Sequence, residues 1–223
     1  MTAGALLRAG IVAGPLYLAV GLAQAFTREG FDVRRHALSL LGNGELGWIQ
    51  VGNFLLAGVL VIAGAVGVRR LLRGRPAGTW GPILLALYGV GLIGSGIFVA
   101  DPGAGFPPGS APPPEMTRSG LLHFVFGGIG FYALIGACFV FARRYARRGA
   151  RGWSAFSALT GVGFFLAFAW IASGSTSAAT ILTFYAAVAW IWIWHTVVLL
   201  DLLRQARVGG VEAVPAVDSS GVA

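Results

Sequence analysis

Residues 48–68, WIQVGNFLLAGVLVIAGAVGV, contain no charged side chain. As an α-helix, a stretch of this length rises about 30 Å, which is the thickness of the hydrocarbon core of a bilayer. Gln50 and Asn53 stand near its start and three residues apart, so they share one face of the helix. The stretch therefore predicts a membrane-spanning helix whose polar side chains are confined to one end.

The rest of the chain repeats this pattern. Of its 223 residues, 57% are hydrophobic and only 11% are charged, and the mean hydropathy is +0.78, whereas soluble domains carry about 25% charged residues. Five more apolar runs are long enough to span a membrane, and they occupy residues 4–26, 80–100, 119–142, 154–173 and 178–202. We therefore predict an all-α, polytopic membrane protein with a six-transmembrane-helix bundle over residues 1–207. Residues 208–223 show no apolar period and are predicted to form a disordered cytoplasmic tail.

The arginines predict how these helices are oriented. All 16 basic residues are Arg; twelve lie on the side of the termini and the even-numbered connections, and four lie on the other side. The positive-inside rule then places both termini in the cytoplasm. We expect a multi-pass protein of a bacterial plasma membrane, with anionic lipids at its cytoplasmic Arg loops. The net charge of +8 does not indicate a nucleic-acid partner, because the arginines cluster at the ends of the apolar runs.

A charged segment, GFDVRRHALSLLGNGELGW at residues 30–48, joins the first two runs. Asp32 is expected to cap a short helix over residues 33–41 that has an apolar stripe on one side. The polar side of that helix comprises Asp32, Arg35, His36 and Ser39. A helix of this kind lies in the membrane interface. It would form either a lid over the outer face of the bundle or an interfacial anchor with solvated charges.

Polar side chains within the runs favour the outer half of the membrane. Gln50 and Asn53 start the second run, Asp101 ends the third, and His123 lies one turn inside the fourth. Polar groups in hydrocarbon are costly unless they face a bundle interior or a wet cavity. Together with the lid they predict an outer polar pocket, with helix-to-helix hydrogen bonding as the alternative. In the inner half, His195 and its neighbouring tryptophans are expected to form a cytoplasmic-side aromatic anchor.

The remaining motifs do not indicate a cofactor or a metal site. Both matches to G-x-G-x-x-G, at residues 42–47 and 89–94, lack the βαβ context of a dinucleotide site. The glycines of the second match predict close packing against a neighbouring helix instead. The single cysteine, Cys138, lies in an apolar run, which excludes a zinc site built on cysteines. We therefore predict neither a cofactor nor a metal.

Three segments carry a family resemblance. They are GFDVRRHALSLLGNGELGWIQVGNF at residues 30–54, ADPGAGFPPG at residues 100–109 and SGLLH at residues 119–123. The chain resembles, over roughly residues 8–205, the uncharacterised bacterial membrane family known as domain of unknown function 998. The resemblance implies a multispanning membrane protein and no established activity. Its motif positions here are Gly30, Phe31, Asp32, Arg35, His36, Ser39, Gly47, Trp48, Gln50, Asn53, Asp101, Pro102 and His123.

Three classes of function stay open. The first is a non-enzymatic protein that binds a lipid headgroup, a small molecule or a protein partner at its outer face. The second is a membrane-embedded enzyme in which the outer Asp and His side chains bind a metal, or in which one His acts as a general base on a lipid. The third is a small-molecule transporter, which the lack of a clear inverted repeat disfavours. An enzyme is less expected than a binding protein, because neither H-E-x-x-H nor G-x-S-x-G occurs.

Overall fold

The computed structural model describes residues 1–211, and six long α-helices account for most of them. They are α1 (Ala3–Thr27), α2 (Gly47–Leu71), α3 (Trp80–Ile97), α4 (Arg118–Arg147), α5 (Arg151–Ala172) and α6 (Ala178–Val211). All six are long and apolar enough to cross a membrane. The predicted six-helix fold is confirmed, and the chain is a multi-pass integral membrane protein.

Hydrogen bonds at the helix ends and glycine turns set the helix boundaries. The Thr2 hydroxyl accepts a hydrogen bond from the backbone N–H of Ala5 at 3.2 Å and so caps α1. Gly149 turns the chain between α4 and α5 with a φ angle of 73°, a backbone conformation that residues other than glycine rarely adopt. The sixth helix continues to Val211, so residues 208–211 of the predicted tail are helical. Residues 212–223 lie outside the described part of the chain.

The six helices form a closed ring. Each helix packs against its neighbours in the sequence, and α6 also packs against α1. The connections alternate between two ends of this ring. One end, here called the capped end, carries residues 28–46, 98–117 and 173–177, and the opposite, arginine-rich end carries the start of α1, residues 72–79 and 148–150, and the end of α6.

Glycines set the closest approaches between helices, as the sequence predicts. A Cβ atom at Gly91 would lie 2.7 Å from Cα of Gly130 and 2.7 Å from the carbonyl oxygen of Phe126, both in the backbone of α4. A Cβ atom at Gly58 of α2 would lie 2.6 Å from the carbonyl oxygen of Gly89 in α3. Side chains at these positions would force the helices apart, so backbone-to-backbone packing holds this part of the ring.

The ring is filled at its arginine-rich end. A Cβ atom at Gly10 of α1 would lie 2.7 Å from both Gly64 of α2 and Leu199 of α6, so three helices converge there. Leu85 of α3 and Leu134 of α4 are each 1% exposed and fill the remaining space. This half of the bundle is therefore a packed core.

The helix predicted over residues 33–41 is wrong. A turn at residues 33–35 and a 3₁₀ helix at Leu38–Gly42 stand in its place. The Asp32 carboxylate accepts a hydrogen bond from the backbone N–H of Arg34 at 2.8 Å, and the His36 Nδ1 accepts one from the N–H of Asp32 at 2.9 Å. These local side-chain bonds compete with helical hydrogen bonding. The buried side chains of Leu38 and Leu41 then bind the 3₁₀ helix to the bundle.

Candidate functional site

A cavity of about 620 Å³ occupies the ring at its capped end. This volume is typical of sites that bury a small molecule. All six helices contribute to its walls, and the 3₁₀ helix with its preceding residues covers part of it. Its lining includes Tyr17, Phe54, Tyr88 and Ser95 from α1 to α3, His123, Phe131 and Phe168 from α4 and α5, and Phe184, Tyr185, Val188 and Trp192 from α6.

The cavity is deep. Its lining includes Met116, just before α4, and Phe131, which lies roughly 20 Å along α4 from Arg118 at 1.5 Å per residue. The cavity thus extends from the capped end to the middle of the bundle.

An aromatic floor closes the cavity near the middle of the membrane. The ring of Trp192 lies 5.2 Å from that of Tyr17 and 5.4 Å from that of Tyr88, measured between centroids. One wall is also aromatic, because Phe131 packs edge-on against Phe168 at 5.1 Å and Phe184 at 5.9 Å. Beyond the floor lies the packed arginine-rich half, so the cavity is blind.

The mouth of the cavity lies at the capped end beside α4. Two of its lining side chains are largely exposed there, Met116 at 58% and Phe124 at 61%. Ala172 at the end of α5 and Gly174 just after it are exposed lining residues on the opposite side. Apolar side chains thus border the mouth where the first turns of α4 meet the membrane surface.

The first two connections of the capped end, residues 28–46 and 98–117, interlock to form what we call the cap. Arg28 donates hydrogen bonds to the carbonyl oxygens of Leu41 at 2.5 Å and Asn43 at 2.7 Å. Its guanidinium also lies 5.1 Å from the ring centroid of Phe106, a cation–π contact. Partial burial lowers the pKa of the Arg28 guanidinium from its ordinary value, but an arginine stays protonated. Asn43 then donates to the carbonyl oxygen of Ala100 at 3.0 Å, which joins the two connections.

Two of the predicted site residues in the cap, Arg35 and His36, help to join its two connections. Arg35 donates to the carbonyl oxygen of Ala104 at 3.1 Å, and Nε2 of His36 lies 3.1 Å from the same oxygen. Because Nδ1 of His36 accepts a hydrogen bond from Asp32, Nε2 carries the proton. His36 is buried between the rings of Phe31 and Phe106 at 5.2 and 5.5 Å. Its role in the structure is to hold the cap together.

Asp101 stabilises the start of α4. Its carboxylate accepts hydrogen bonds from the backbone N–H and the hydroxyl of Thr117, and the first of these measures 2.9 Å. The Thr117 hydroxyl in turn caps α4 by accepting from the N–H of Gly120 at 3.0 Å. No hydrogen bond joins two of the side chains of Asp32, His36, Asp101 and His123 in residues 1–211, although Nδ1 of His36 accepts one from the backbone N–H of Asp32. The side chains of Asp32 and His36 bond within the cap, whereas those of Asp101 and His123 bond to Thr117 and to the end of α3.

Two of the predicted site residues, Ser39 and His123, line the cavity. Nδ1 of His123 lies 2.9 Å from the carbonyl oxygens of both Ser95 and Phe98, so it carries the proton of the neutral ring. Nε2 of His123 is then a hydrogen-bond acceptor, and it has no partner within the described residues. His123 is one of the few polar side chains on a mainly apolar wall.

Gln50 and Asn53 form a buried amide cluster with Gln24 between α1 and α2, outside the cavity lining. Gln24 donates to Oε1 of Gln50 at 2.9 Å, and Asn53 donates to the same atom at 3.3 Å and to the carbonyl oxygen of Tyr17 at 3.1 Å. This arrangement is the hydrogen bonding between helices that was the alternative to a pocket. It joins the two helices beneath the cap.

The tyrosines of the cavity were not identified from the sequence. The interpretation of the tryptophans near His195 as a cytoplasmic-side aromatic anchor was wrong. Trp192 and Trp194 are almost completely buried, and only Trp190 is exposed. In α6, Trp192 faces the ring interior and Trp190 the outside. Tyrosine in the middle of a transmembrane run was the signal available, since tyrosines of membrane helices favour the two interfaces.

One arginine of the predicted lipid-binding loops serves a structural role. Arg144 is buried, donating to the carbonyl oxygen of Pro76 at 3.0 Å and to the Gln205 side chain at 3.2 Å. Nearby, the Tyr145 hydroxyl donates to the Asp201 carboxylate at 2.7 Å. These contacts tie α4 to α6 and to the α2–α3 connection. Within the described residues, no three His, Cys, Asp or Glu side chains come together as a metal site.

Comparison with known proteins places most of the bundle in one family. No curated protein and no solved structure is significantly similar to the chain. Residues 11–201, from the first helix to the arginine-rich half of the sixth, match the family described as "Protein of unknown function (DUF998)". The match covers the cap, the cavity and its floor, and the chain belongs to this family.

Proposed function

We propose that this integral membrane protein binds a lipophilic molecule in the cavity of its capped end. The observation that supports the proposal is a blind cavity of about 620 Å³ with aromatic and aliphatic walls and a mouth bordered by exposed apolar side chains. A membrane protein gains little by leaving such a space empty, because the lining side chains lose their packing partners. The sequence suggested a polar pocket, whereas this lining suits an apolar body.

Two features of the bundle weigh against the other functions. Within the described residues, α1, α2 and α6 pack closely around Gly10, Gly64 and Leu199 in the arginine-rich half, where a transport path would have to continue. His123 is the one titratable histidine on the cavity wall, and no serine, cysteine or carboxylate forms a hydrogen bond with its free Nε2 within residues 1–211. A binding protein is therefore the function that the geometry supports best.

Blocking the cavity is expected to weaken binding strongly. Gly128 of α4 lines the cavity, and a Cβ atom there would meet nothing within 4 Å, so leucine would enter open space. With the protein in lipid nanodiscs, equilibrium dialysis of decylbenzene should show one saturable site above the empty-disc background. We expect the Gly128→Leu variant to bind at least about tenfold more weakly, equivalent to about 1.4 kcal/mol.

Gly163→Leu is the matched control. Gly163 lies within α5 with nothing within 4 Å of an added Cβ atom, and it is exposed and does not line the cavity. This variant should bind decylbenzene like the wild type. Equal affinity in Gly128→Leu and Gly163→Leu, or no saturable binding to the wild type, would contradict the proposed function.

The same proposal places the capped end outside the cytoplasm and the exposed arginines of the opposite end against anionic lipid. Single cysteines test this orientation in a Cys138→Ala background. Ala111→Cys lies in the cap and Arg73→Cys in the α2–α3 connection, and both positions are exposed. An impermeant maleimide added to intact cells should label position 111 and leave position 73 unlabelled until the membrane is permeabilised. The opposite labelling pattern would mean that the capped end faces the cytoplasm.

A further inference from the structure

Two tyrosine hydroxyls in the floor of the cavity have no hydrogen-bond partner. Tyr17 is 6% exposed and Tyr88 is 2% exposed, both line the cavity, and neither hydroxyl forms a hydrogen bond within residues 1–211. Two of the other three tyrosines are paired: Tyr185 donates to the carbonyl oxygen of His36 at 2.8 Å, and Tyr145 donates to Asp201. A hydroxyl that faces the cavity without a protein acceptor favours an occupant that offers acceptors.

The shape of the floor favours a flat ring. Trp192 packs against both tyrosines, and its ring is tilted by 31° from that of Tyr17 at a centroid distance of 5.2 Å. The Phe131, Phe168 and Phe184 cluster also contributes to the lining. Aromatic side chains bind planar rings by offset stacking and edge-on contacts. The floor thus combines aromatic faces with two phenolic donors.

The depth of the floor favours a neutral group. Tyr88 lies roughly 14 Å along α3 from Ile97, its last residue at the capped end. At that depth a charged group is expensive unless a counter-charge accompanies it. No Asp, Glu, Lys or Arg among the described residues lines the cavity. Carbonyl oxygens are acceptors that carry no charge, and they match the phenolic donors.

Resting on the proposed function, we infer that the occupant is a membrane quinone or a lipophile of the same build. Such a molecule combines a flat neutral ring bearing carbonyl oxygens with an apolar tail. The ring lies on the floor, where Tyr17 and Tyr88 donate hydrogen bonds to its carbonyl oxygens. The tail follows the cavity past Phe131 and leaves between Met116 and Phe124 into the lipid. This is a binding site, and no electron transfer is assigned to it.

Two probes that differ in the carbonyl groups test the inference. Decylubiquinone and decylbenzene have ten-carbon tails, but only the quinone offers acceptors. In nanodiscs the wild type should bind decylubiquinone at least about tenfold more tightly than decylbenzene. Tyr17→Phe and Tyr88→Phe, made separately, should each weaken quinone binding by about five- to tenfold and leave decylbenzene binding unchanged. Tyr132→Phe, at an exposed position on α4, is the matched control and should bind both probes like the wild type.

The outcomes separate the two proposals. If the wild type binds both probes equally, or if both Phe variants keep the wild-type affinity for the quinone, the carbonyl-bearing ring is excluded while the lipophilic cavity stands. An equal loss for both probes would mean that the hydroxyls support the structure and would also overturn the inference. If neither probe binds the wild type, or if Gly128→Leu binds both normally, the proposed function fails as well.

Discussion

Replacing Gly91 by valine is expected to disrupt the contact between α3 and α4 and to lower the thermal stability of the bundle. The added Cβ atom would meet the backbone of Gly130 and Phe126 at 2.7 Å, and the backbone cannot rotate away as a side chain could. Overpacking of this kind costs about 1–3 kcal/mol or more. We expect the transition temperature in detergent to fall by roughly 5–10 °C.

The protein supplies its own reporter for this measurement. Cys138 is the single cysteine of the chain and is fully buried, so a thiol-reactive coumarin labels it only when the bundle opens. Gly52→Val is the control, because it places the same β-branched residue inside α2 where an added Cβ atom meets nothing within 4 Å. Equal melting of the two variants would mean that close backbone packing of α3 on α4 contributes nothing to stability.

Replacing Arg28 by methionine is expected to open the cap. Methionine keeps the apolar length of the side chain, but the carbonyl oxygens of Leu41 and Asn43 lose their charged donor, and the Phe106 ring loses its cation. Hydrogen bonds to charged groups contribute about 1.5–3 kcal/mol each. Hydrogen–deuterium exchange of the backbone amides at residues 40–47 should therefore become at least about tenfold faster.

Arg34→Met is the corresponding control, since Arg34 is exposed and its guanidinium forms no hydrogen bond within the described residues. In this variant the backbone amides at residues 40–47 should exchange at the wild-type rate. Because Leu38 and Ser39 of the cap line the cavity, Arg28→Met should also weaken decylbenzene binding. Unchanged exchange at residues 40–47 in Arg28→Met would show that the cap does not depend on this arginine.

Hydropathy predicts most of this fold because each membrane span is a local property of the sequence. The apolar run at residues 48–68 forms most of helix α2, Gly47–Leu71. The glycines of α3 pack against the neighbouring helices as expected. The segment at residues 30–48 was harder. Its apolar spacing suits a helix. However, the side chains of Asp32 and His36 accept hydrogen bonds from nearby backbone N–H groups, and the segment forms a turn instead of a helix. Propensity does not capture such competition between side chain and backbone.

The site was only partly predictable for a different reason. Ser39 and His123 stood out as polar groups near a membrane surface, and both line the cavity. Tyr17, Tyr88 and Trp192 come from three helices that are far apart in the sequence, and their convergence depends on the ring closure of α6 against α1. A hydropathy profile contains no information about that closure. In the WIWIWH stretch, it also cannot tell which tryptophan faces inward.

Native mass spectrometry of the protein released from nanodiscs tests the central claim most directly, because it detects an occupant acquired in the cell without any added probe. We predict that the wild type and Gly163→Leu carry one lipophilic molecule of the same mass, and that Gly128→Leu carries none. The same adduct on all three proteins, or no adduct on the wild type and none after incubation with decylbenzene, would contradict the account.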